Sequence, residues 1–386
     1  MIFIYIFLGI ALLTNIVRPF VTLFHELGHA LPILYFTRKK TIIYLGSYGD
    51  PEKSYRFSIG LLEIWFRFNP FEWWGGLCVA TSNDMSIRQR MIYTVCGPLC
   101  SLVVGILACY FAFAFDSHGA LKILLVAFMA FAIGDLYINL KPNKAPVHLY
   151  DGSIVYNDGH ELLELFKLRT CYAEYDQAVS MYKQKNYTGT IAQMENLLSR
   201  GVESSGIYEY IIAAAIVLDD YEKALVFHNR LAAAYELNSD NYSNLGLIRS
   251  SLEGVDAGAS AFEQALSMNP DNTHTLNAWG FHLAEANRFE EAILLLDKAI
   301  ALDATYAYAY DNRGFAKMKA GEVEAGLADI KYSYELDPDN SYVHRNLGIY
   351  HLDQGDKLTA LEYFNKAREL DPNTLRLNDL IAEANG

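Results

Sequence analysis

The chain has 386 residues, enough for two or three domains, and a formal net charge of −14 at pH 7. The acidic excess belongs to residues 160–386, because 12 Lys and Arg nearly balance 10 Asp and Glu in residues 1–159. An acidic half of this kind repels phosphate, which excludes nucleic acid as an expected partner. The five cysteines include no C-x-x-C pair, and we interpret them as small apolar residues.

Residues 2–36 form the first of three predicted membrane spans. Arg18 and Glu26 are the only Asp, Glu, Lys or Arg residues before Thr37. An apolar segment longer than about 18 residues is typical of a transmembrane helix. The segment lacks the basic start and the A-x-A site of a signal peptide. An alternative divides it at Arg18-Pro19, which gives four spans.

This span contains the pattern His25-Glu26-Leu27-Gly28-His29. Positions i and i+4 share one face of a helix, so both imidazoles can reach one zinc ion. Glu26 occupies the position of the general base that takes a proton from water in such motifs. A glutamate and two histidines at bilayer depth are unfavourable unless they have a function. The pattern therefore predicts a zinc hydrolase site within the membrane.

The segment 41–80 has the character of a small sheet. Strand-like runs at 41–45 and 55–59 are broken by Gly and Pro, and aromatic residues follow at 66–74. Aromatic side chains favour the membrane interface. We weigh two interpretations of this β-rich segment. It is a peripheral anchor, or it offers an edge strand against which an extended substrate pairs near the metal.

Residues 91–115 and 120–140 are the second and third predicted spans, because each is long and apolar enough to cross a bilayer. Basic residues stand at both ends of the loop 37–90 and directly after residue 140. Such residues favour the cytoplasmic side of a membrane. The N-terminus is therefore expected outside, and the chain beyond residue 140 is expected in the cytoplasm.

Catalytic zinc usually has three protein ligands, and three aspartates are candidates for the third one. Asp151 lies between two strand-like runs in 147–156, which predicts a hairpin with a two-residue type I′ turn. Asp158 begins an apolar-faced helix from which a carboxylate could face the histidines. Asp135 lies within the third span. Asp158 is the ligand we predict, with Asp151 and Asp135 as alternatives.

Three motifs occur in order along residues 1–165. They are Phe24-His25-Glu26-Leu27-Gly28-His29-Ala30, Gly97-Pro98-Leu99-Cys100-Ser101, and Asn139-Leu140-Lys141-Pro142 followed by Asn157-Asp158-Gly159. In this combination the segment resembles the site-2 protease family of intramembrane zinc metalloproteases. That family has an H-E-x-x-H helix, a G-P-x-x-N motif and an N-x-x-P…D-G motif.

The resemblance implies a zinc ion, Glu26 as the general base, and the ligands His25, His29 and Asp158. It further implies that Ser101 and Asn139 support the substrate or its oxyanion. The chain departs from the family pattern in two places. Ser101 stands where the family has asparagine, and 19 positions separate Asn139 from Asp158 where many members have a short gap. The spacing from Asn139 to Asp151 is only 12 positions, which keeps that alternative open.

The C-terminal half contains an internal repeat of 34 residues. Glycine recurs at this interval at Gly246, Gly280, Gly314 and Gly348. A 34-residue helix-turn-helix period is the tetratricopeptide pattern. Clear repeats cover about 239–373 within a repeat domain predicted over 172–386. Stacked repeats usually bind an extended peptide or a protein partner, and the alternative is a spacer or a self-association surface.

The predicted fold is mostly α. It is a polytopic helical membrane core of three or alternatively four spans with a small interfacial β element, followed by an α-solenoid of tetratricopeptide repeats. The predicted function is an intramembrane zinc endopeptidase that cleaves transmembrane segments of membrane proteins, with repeats that recruit substrate or regulator in the cytoplasm. The alternative is a catalytically inert, membrane-anchored scaffold. We expect an integral protein of a bacterial inner membrane, in contact with lipid.

Overall fold

The computed structural model describes residues 2–46, 50–81, 85–145, 147–149 and 152–386, and leaves out the side chains of residues 2–12, Pro51 and Pro70. The described chain is mostly helical, with a helical solenoid of the tetratricopeptide kind and two small sheets.

The chain forms two compact units. Unit 1 comprises Met1–Gln184 and Ala192–Ser204, and unit 2 comprises Lys185–Ile191 and Ser205–Gly386. The helix α6 (Tyr187–Ser199) is divided between them. Unit 1 contains all the residues predicted for the metal site.

Unit 1 contains the long apolar helices. Its helices before α6 are α1 (Ile2–Thr37), α2 (Ile87–Ala114), α3 (Gly119–Leu140), α4 (Asp158–Lys167) and α5 (Tyr172–Lys183). α1 continues through Pro19 and Pro32 without a break. Each proline removes one backbone hydrogen bond, which can kink a helix without ending it. The chain therefore does not turn back at Arg18-Pro19, and the four-span alternative is wrong.

Within the described residues, α2 and α3 are the two helices that are long and apolar enough to cross a bilayer, by length and composition. In the most apolar 18-residue stretch of each helix, 33% of α2 and 11% of α3 lies buried inside the protein. A core helix of a water-soluble protein would bury most of that surface. The exposed apolar faces therefore favour the second and third predicted spans. The span 2–36 stays a prediction.

The segment 41–80 folds as a four-stranded sheet, which confirms the predicted β element. Its strands are β1 (Thr41–Leu45), β2 (Ser54–Ile59), β3 (Leu62–Arg67) and β4 (Gly76–Ala80). The spatial order is β2-β3-β1-β4, with β1 parallel to β3 and antiparallel to β4. The exposed aromatic residues Phe68 and Trp74 lie between β3 and β4, outside the strands. The sequence patterns indicated β1 and β2 but not β3 and β4 as separate strands.

A short hairpin follows α3, as predicted for 147–156. Its strands are β5 (Val147–His148) and β6 (Ile154–Val155), paired antiparallel. Leu149 then donates its N–H to the carbonyl oxygen of Ser153 at 2.9 Å. Three residues separate this bonded pair, so the predicted two-residue type I′ turn is wrong, because a longer connection closes the hairpin. Asp151, the residue assigned to that turn, lies outside the described residues.

Unit 2 is a stack of helix pairs. Its helices after α6 are α7 (Ser205–Val217), α8 (Tyr221–Ala234), α9 (Ser239–Glu253), α10 (Val255–Met268), α11 (Thr273–Glu285), α12 (Phe289–Leu302), α13 (Ala307–Lys319), α14 (Val323–Leu336), α15 (Ser341–Asp353), α16 (Lys357–Leu370) and α17 (Leu377–Asn385). Each repeating glycine faces a large side chain of the following helix. A Cβ at Gly348, for example, would lie 2.4 Å from the ring of Phe364. The 34-residue glycine period is therefore a packing requirement of each helix pair.

Candidate metal centre

The H-E-x-x-H segment lies in the C-terminal half of α1, which packs against α2, α3 and the sheet. His25, Glu26 and His29 are 6%, 5% and 6% exposed. The helical spacing places both imidazoles on one face of α1. A glycine on α2 makes room for one of them, because a Cβ at Gly97 would lie 2.2 Å from the His29 ring. The segment is therefore buried with its polar groups directed into the unit.

Asp158 is the first residue of α4, and Asn157 fixes this end of the helix. The Asn157 side chain accepts from the N–H of His160 and so caps α4. Its amide also donates to the carbonyl oxygen of Lys141 at 2.7 Å. Lys141 directly follows α3, so the cap attaches the start of α4 to the end of α3. This attachment directs the Asp158 carboxylate toward the two histidines.

Three potential ligands converge at this point. His25 Nε2 lies 3.0 Å from His29 Nε2 and 3.2 Å from Asp158 Oδ2, and His29 Nε2 lies 3.3 Å from Asp158 Oδ1. In the part of the chain that the structure describes, these side chains form the one group of metal-ligating atoms within 4.8 Å of one another. A tetrahedral zinc ion with bonds of about 2.0–2.1 Å holds its ligands about 3.3 Å apart. The spacing fits zinc.

The other ring nitrogen of each histidine is already engaged. His29 Nδ1 lies 2.8 Å from the carbonyl oxygen of Tyr93, and His25 Nδ1 lies 2.7 Å from Asp135 Oδ2. Both oxygens only accept, so we assign the proton to Nδ1 in each ring, and each neutral ring then presents a lone pair at Nε2. The buried Oδ2 of Asp158 has no hydrogen-bond donor among the described residues. Two lone pairs and a carboxylate thus face one another, an arrangement that a cation would stabilise.

The edge strand β4 passes beside Glu26. A Cβ at Gly76 would lie 2.5 Å from Glu26 Oε1, so the strand backbone and the carboxylate are in contact. In the described structure, β4 pairs with β1 on one side and has no strand on the other. Cys78 lies further along β4, where burial and then the charges of Glu26 and Asp158 raise the pKa of its thiol well above the ordinary value. The Cys78 sulfur is not among the converging ligand atoms.

Asp135, Ser101 and Asn139 form a hydrogen-bonded group next to His25. Ser101 Oγ donates to Asp135 Oδ2 at 3.1 Å, and Asn139 Nδ2 donates to Asp135 Oδ1 at 2.8 Å. Asp135 contacts the Nδ1 side of His25, so it is not among the converging ligands. Ser101 and Asn139, for which the resemblance implies substrate support, both bind Asp135.

Sequence reasoning missed the residues that attach α4 to α2. Glu161 Oε1 accepts from Arg90 Nη2 at 3.1 Å and from the Tyr93 hydroxyl at 2.9 Å. The backbone carbonyl of Tyr93 also holds His29. The partners are 71 and 68 positions apart in the chain, so no local pattern indicates these contacts.

Comparison with family models identifies the repeats. Two models described as tetratricopeptide repeat match residues 244–307 and 341–374. They confirm the tetratricopeptide repeats predicted in the C-terminal region. No curated protein matches the chain. The two matches lie outside residues 1–165, so the resemblance to the site-2 protease family stays a prediction.

Solved structures are similar to the chain at low identity. A tetratricopeptide repeat protein from Parabacteroides merdae is 15% identical, with 74% of this chain and 99% of that chain covered and a TM-score of 0.48. PilW, a type IV pilus biogenesis factor, is 26% identical, with coverages of 47% and 86% and a TM-score of 0.38. YrrB, a tetratricopeptide repeat protein with an unusual peptide-binding site, is 18% identical, with coverages of 44% and 88% and a TM-score of 0.34. At these TM-scores the similarities carry no functional argument.

Proposed function

We propose that this chain is an intramembrane zinc endopeptidase with a C-terminal repeat scaffold. The observation that supports the proposal is the convergence of His25, His29 and Asp158 at tetrahedral spacing beside Glu26. Three protein ligands leave one position for water, as in catalytic zinc sites. The exposed apolar faces of α2 and α3 support a site at membrane depth.

Glu26 acts as the general base in the proposed reaction. A bound zinc ion would supply Lewis-acid activation of a water molecule and of the scissile carbonyl. Glu26 is buried directly after the first ligand, so its carboxylate is in place to take the proton from that water. The same carboxyl then delivers the proton to the leaving amine nitrogen as the peptide C–N bond breaks.

The free edge of β4 supports an extended peptide as the substrate. A substrate segment added to this edge would form backbone hydrogen bonds with β4 beside Glu26. Gly76 has no side chain to hinder that approach. His29 lies nine residues before Arg38, roughly 13 Å along a helix, a depth that water can reach from the cytoplasm. The proposed substrates are transmembrane segments of membrane proteins that unwind near this boundary.

The experiment compares wild type with Glu26→Gln, both purified in lipid, for bound zinc and for cleavage of candidate membrane-protein substrates. The substitution removes the base and leaves the ligands in place. We expect equal zinc content and a loss of cleavage of about 100-fold or more. His29→Ala is the control that loses both. Cleavage that survives Glu26→Gln would exclude this mechanism.

A second pair of variants identifies the third ligand. Asp158→Ala should lose zinc because it removes one of the three converging ligands. Asp151→Ala should retain zinc at the wild-type level. The opposite result would make Asp151 the ligand.

The second candidate function is a repeat scaffold whose metal centre is inert. The comparisons favour this candidate, because both family matches lie in the repeats. Tetratricopeptide domains generally bind protein or peptide partners, and we propose such a partner in both cases. An inert scaffold predicts no cleavage by wild type and unchanged partner binding by Glu26→Gln. Cleavage by wild type that is lost in Glu26→Gln would support the peptidase and exclude the inert scaffold.

A further inference from the structure

We propose that Asp135 is a positioning residue that holds the His25 ring with Nε2 toward the metal, and that Ser101 and Asn139 in turn hold Asp135. This inference rests on the proposed function, because it assumes that the centre binds zinc. It places Ser101 and Asn139 in the support of the metal centre, in contrast to the substrate role that the family resemblance implies.

The contact between Asp135 and His25 has the geometry of a strong hydrogen bond. Nδ1 and Oδ2 are 2.7 Å apart, at the short end of the range for bonds to a charged acceptor. The carboxylate only accepts, so it retains the proton on Nδ1 and leaves the Nε2 lone pair for the metal. A carboxylate in this position also increases the basicity of the ring and its affinity for a metal.

Asp135 is held from two helices. Ser101, which is completely buried on α2, donates to the same Oδ2 that accepts from His25. Asn139, one turn further along α3, donates to Oδ1. Both oxygens are therefore satisfied, and rotation of the carboxylate would break at least one of these bonds.

The surroundings of Asp135 favour a functional role. The residue belongs to α3, an apolar helix, and its side chain is 18% exposed. Among the described residues, His25 is the ion-pair partner of Asp135. A carboxylate in such surroundings without a permanent cation is unfavourable unless the site needs it. The need to orient His25 as a metal ligand would account for this carboxylate.

His29 is held by different means. Its Nδ1 bonds to the backbone carbonyl of Tyr93 at 2.8 Å, which no side-chain substitution removes. The loss of Asp135 should therefore act on one ligand, His25, and leave the other oriented. Zinc affinity should fall without a complete loss of the site.

The test measures the zinc affinity of the full-length chain in lipid by competition with a chromophoric chelator. We expect Asp135→Ala to weaken zinc binding by about 10–100-fold. Asp135→Asn should have a smaller effect, because its amide oxygen can still accept from Nδ1. Ser101→Ala and Asn139→Ala should weaken binding less than Asp135→Ala. Tyr137→Phe, at an exposed position on α3, is the matched control and should equal wild type.

Cobalt provides a readout that a purely structural role would not change. The visible absorption bands of Co²⁺ report ligand geometry in the fully loaded protein. We expect a large change of the bands in Asp135→Ala at saturation, because the His25 ring is no longer held, and a smaller change in Asp135→Asn, whose neutral amide oxygen accepts a weaker hydrogen bond. Unchanged bands together with wild-type zinc affinity in Asp135→Asn would overturn the positioning role, even if Asp135→Ala fails to fold.

The outcomes also separate this inference from the proposed function. One zinc per wild-type chain with equal affinity in the Asp135 variants overturns the positioning role and leaves the peptidase proposal standing. No zinc in the wild type overturns both. Weaker zinc binding and altered cobalt absorption bands in the Asp135 variants, together with wild-type zinc affinity in Tyr137→Phe, support the inference whether or not a substrate is known.

Discussion

At the scale of single residues, the space left by a glycine decides where the ligands of the proposed metal centre can lie. Gly97 of α2 allows the His29 ring to approach the α2 backbone, and any side chain at that position would occupy the same volume. The ring must approach this closely for its Nδ1 to bond to the carbonyl of Tyr93. The Gly97-Pro98 motif therefore contributes to the centre through shape.

Gly97→Ala is expected to abolish or strongly reduce zinc binding. The added Cβ would lie 2.2 Å from Cε1 and Nε2 of His29, so the ring would have to leave its position. The measurement is zinc per chain by atomic absorption. Gly134→Ala, where the added Cβ meets nothing within 4 Å, is the control. Wild-type zinc binding by Gly97→Ala would contradict this placement of His29.

A single buried carboxyl also makes the stability of the repeats depend on pH. Asp311 on α13 is 1% exposed. Its Oδ1 accepts from Asn346 at 3.0 Å, whereas Oδ2 has no partner among the described residues. Burial raises the pKa of Asp311 from 3.8 to about 6, against the opposing effects of Asn346 and Arg345.

The folded state therefore binds this proton more tightly than the unfolded state, so the contribution of Asp311 to the stability of unit 2 should fall as pH rises from about 4 to about 6. About two pKa units correspond to roughly 3 kcal/mol, of which about 1 kcal/mol falls between pH 5 and pH 7. Burial lowers the pKa of His282, on α11, to about 4, and this changes stability in the opposite direction, so the test compares wild type with Asp311→Asn. Amide hydrogen exchange in α13 and α15, corrected for intrinsic rates, should show that the protection of wild type relative to Asp311→Asn falls between pH 5 and pH 7. The same pH dependence in both proteins would exclude Asp311 as a source.

At the scale of elements, the metal centre depends on how α4 docks. Asp158 reaches the histidines because its helix is attached at two places, by Asn157 to the end of α3 and by Glu161 to α2. Glu161 pairs with Arg90 and Tyr93. An exposed ion pair contributes about 1 kcal/mol or less, and a hydroxyl hydrogen bond contributes about 1 kcal/mol. Together these contacts are sufficient to affect the position of a ligand.

Glu161→Ala is expected to weaken zinc binding by about 10-fold, because the loss of roughly 1–2 kcal/mol of docking energy leaves Asp158 less well placed. Chelator competition measures the change. Glu164→Ala, on the same helix, removes a carboxylate that contacts Lys167 of α4 itself and should leave the affinity unchanged. Equal affinities for the two variants would mean that α4 docks without Glu161.

At the scale of the whole molecule, the chain combines an apolar part with an acidic part. The helices α2 and α3 of unit 1 expose apolar faces that favour lipid, whereas residues 160–386 carry the acidic excess. The stability of unit 2 comes from neighbouring helix pairs, as in other repeat proteins. The three converging ligands all belong to unit 1.

Phe364→Ala tests whether the proposed metal centre is independent of the packing of the repeats. Phe364 is completely buried and fills the space opposite Gly348, so its truncation should destabilise the repeats by about 3–5 kcal/mol. Thermal unfolding followed by circular dichroism should show a repeat transition at lower temperature. Zinc content should stay at the wild-type level below that transition. Zinc loss in the folded variant would show that the metal centre depends on repeat packing.

Much of the fold follows from periodicity in the sequence. The 34-residue interval predicts the helix pairs of unit 2, because each glycine is a local packing requirement repeated along the chain. The run 41–45 predicts β1 because its side chains suit a pleated strand. The spacing of His25 and His29 places both on one helix face wherever that helix packs. These features depend on neighbours within a few residues.

Other features depend on which helices meet. The contacts of Asp135 with His25 and Ser101, and of Glu161 with Arg90, join residues between 34 and 110 positions apart. No pattern within α2, α3 or α4 specifies these pairs, because they arise only when the helices pack together. For the same reason the edge position of β4 beside the metal centre follows from sheet order and could not be derived from its own residues.

By itself, the sequence determined the repeat architecture, the presence of a small sheet and the residue types of the proposed zinc centre, because periodicity and side-chain chemistry are local properties. The tertiary structure alone decided that α1 is continuous, that the hairpin closes with a longer turn, and that Asp135 faces the far side of His25. It also brought Asp158 to the two histidines. These outcomes depend on the packing of distant segments, in which small differences in contact energy choose among arrangements that the local sequence permits.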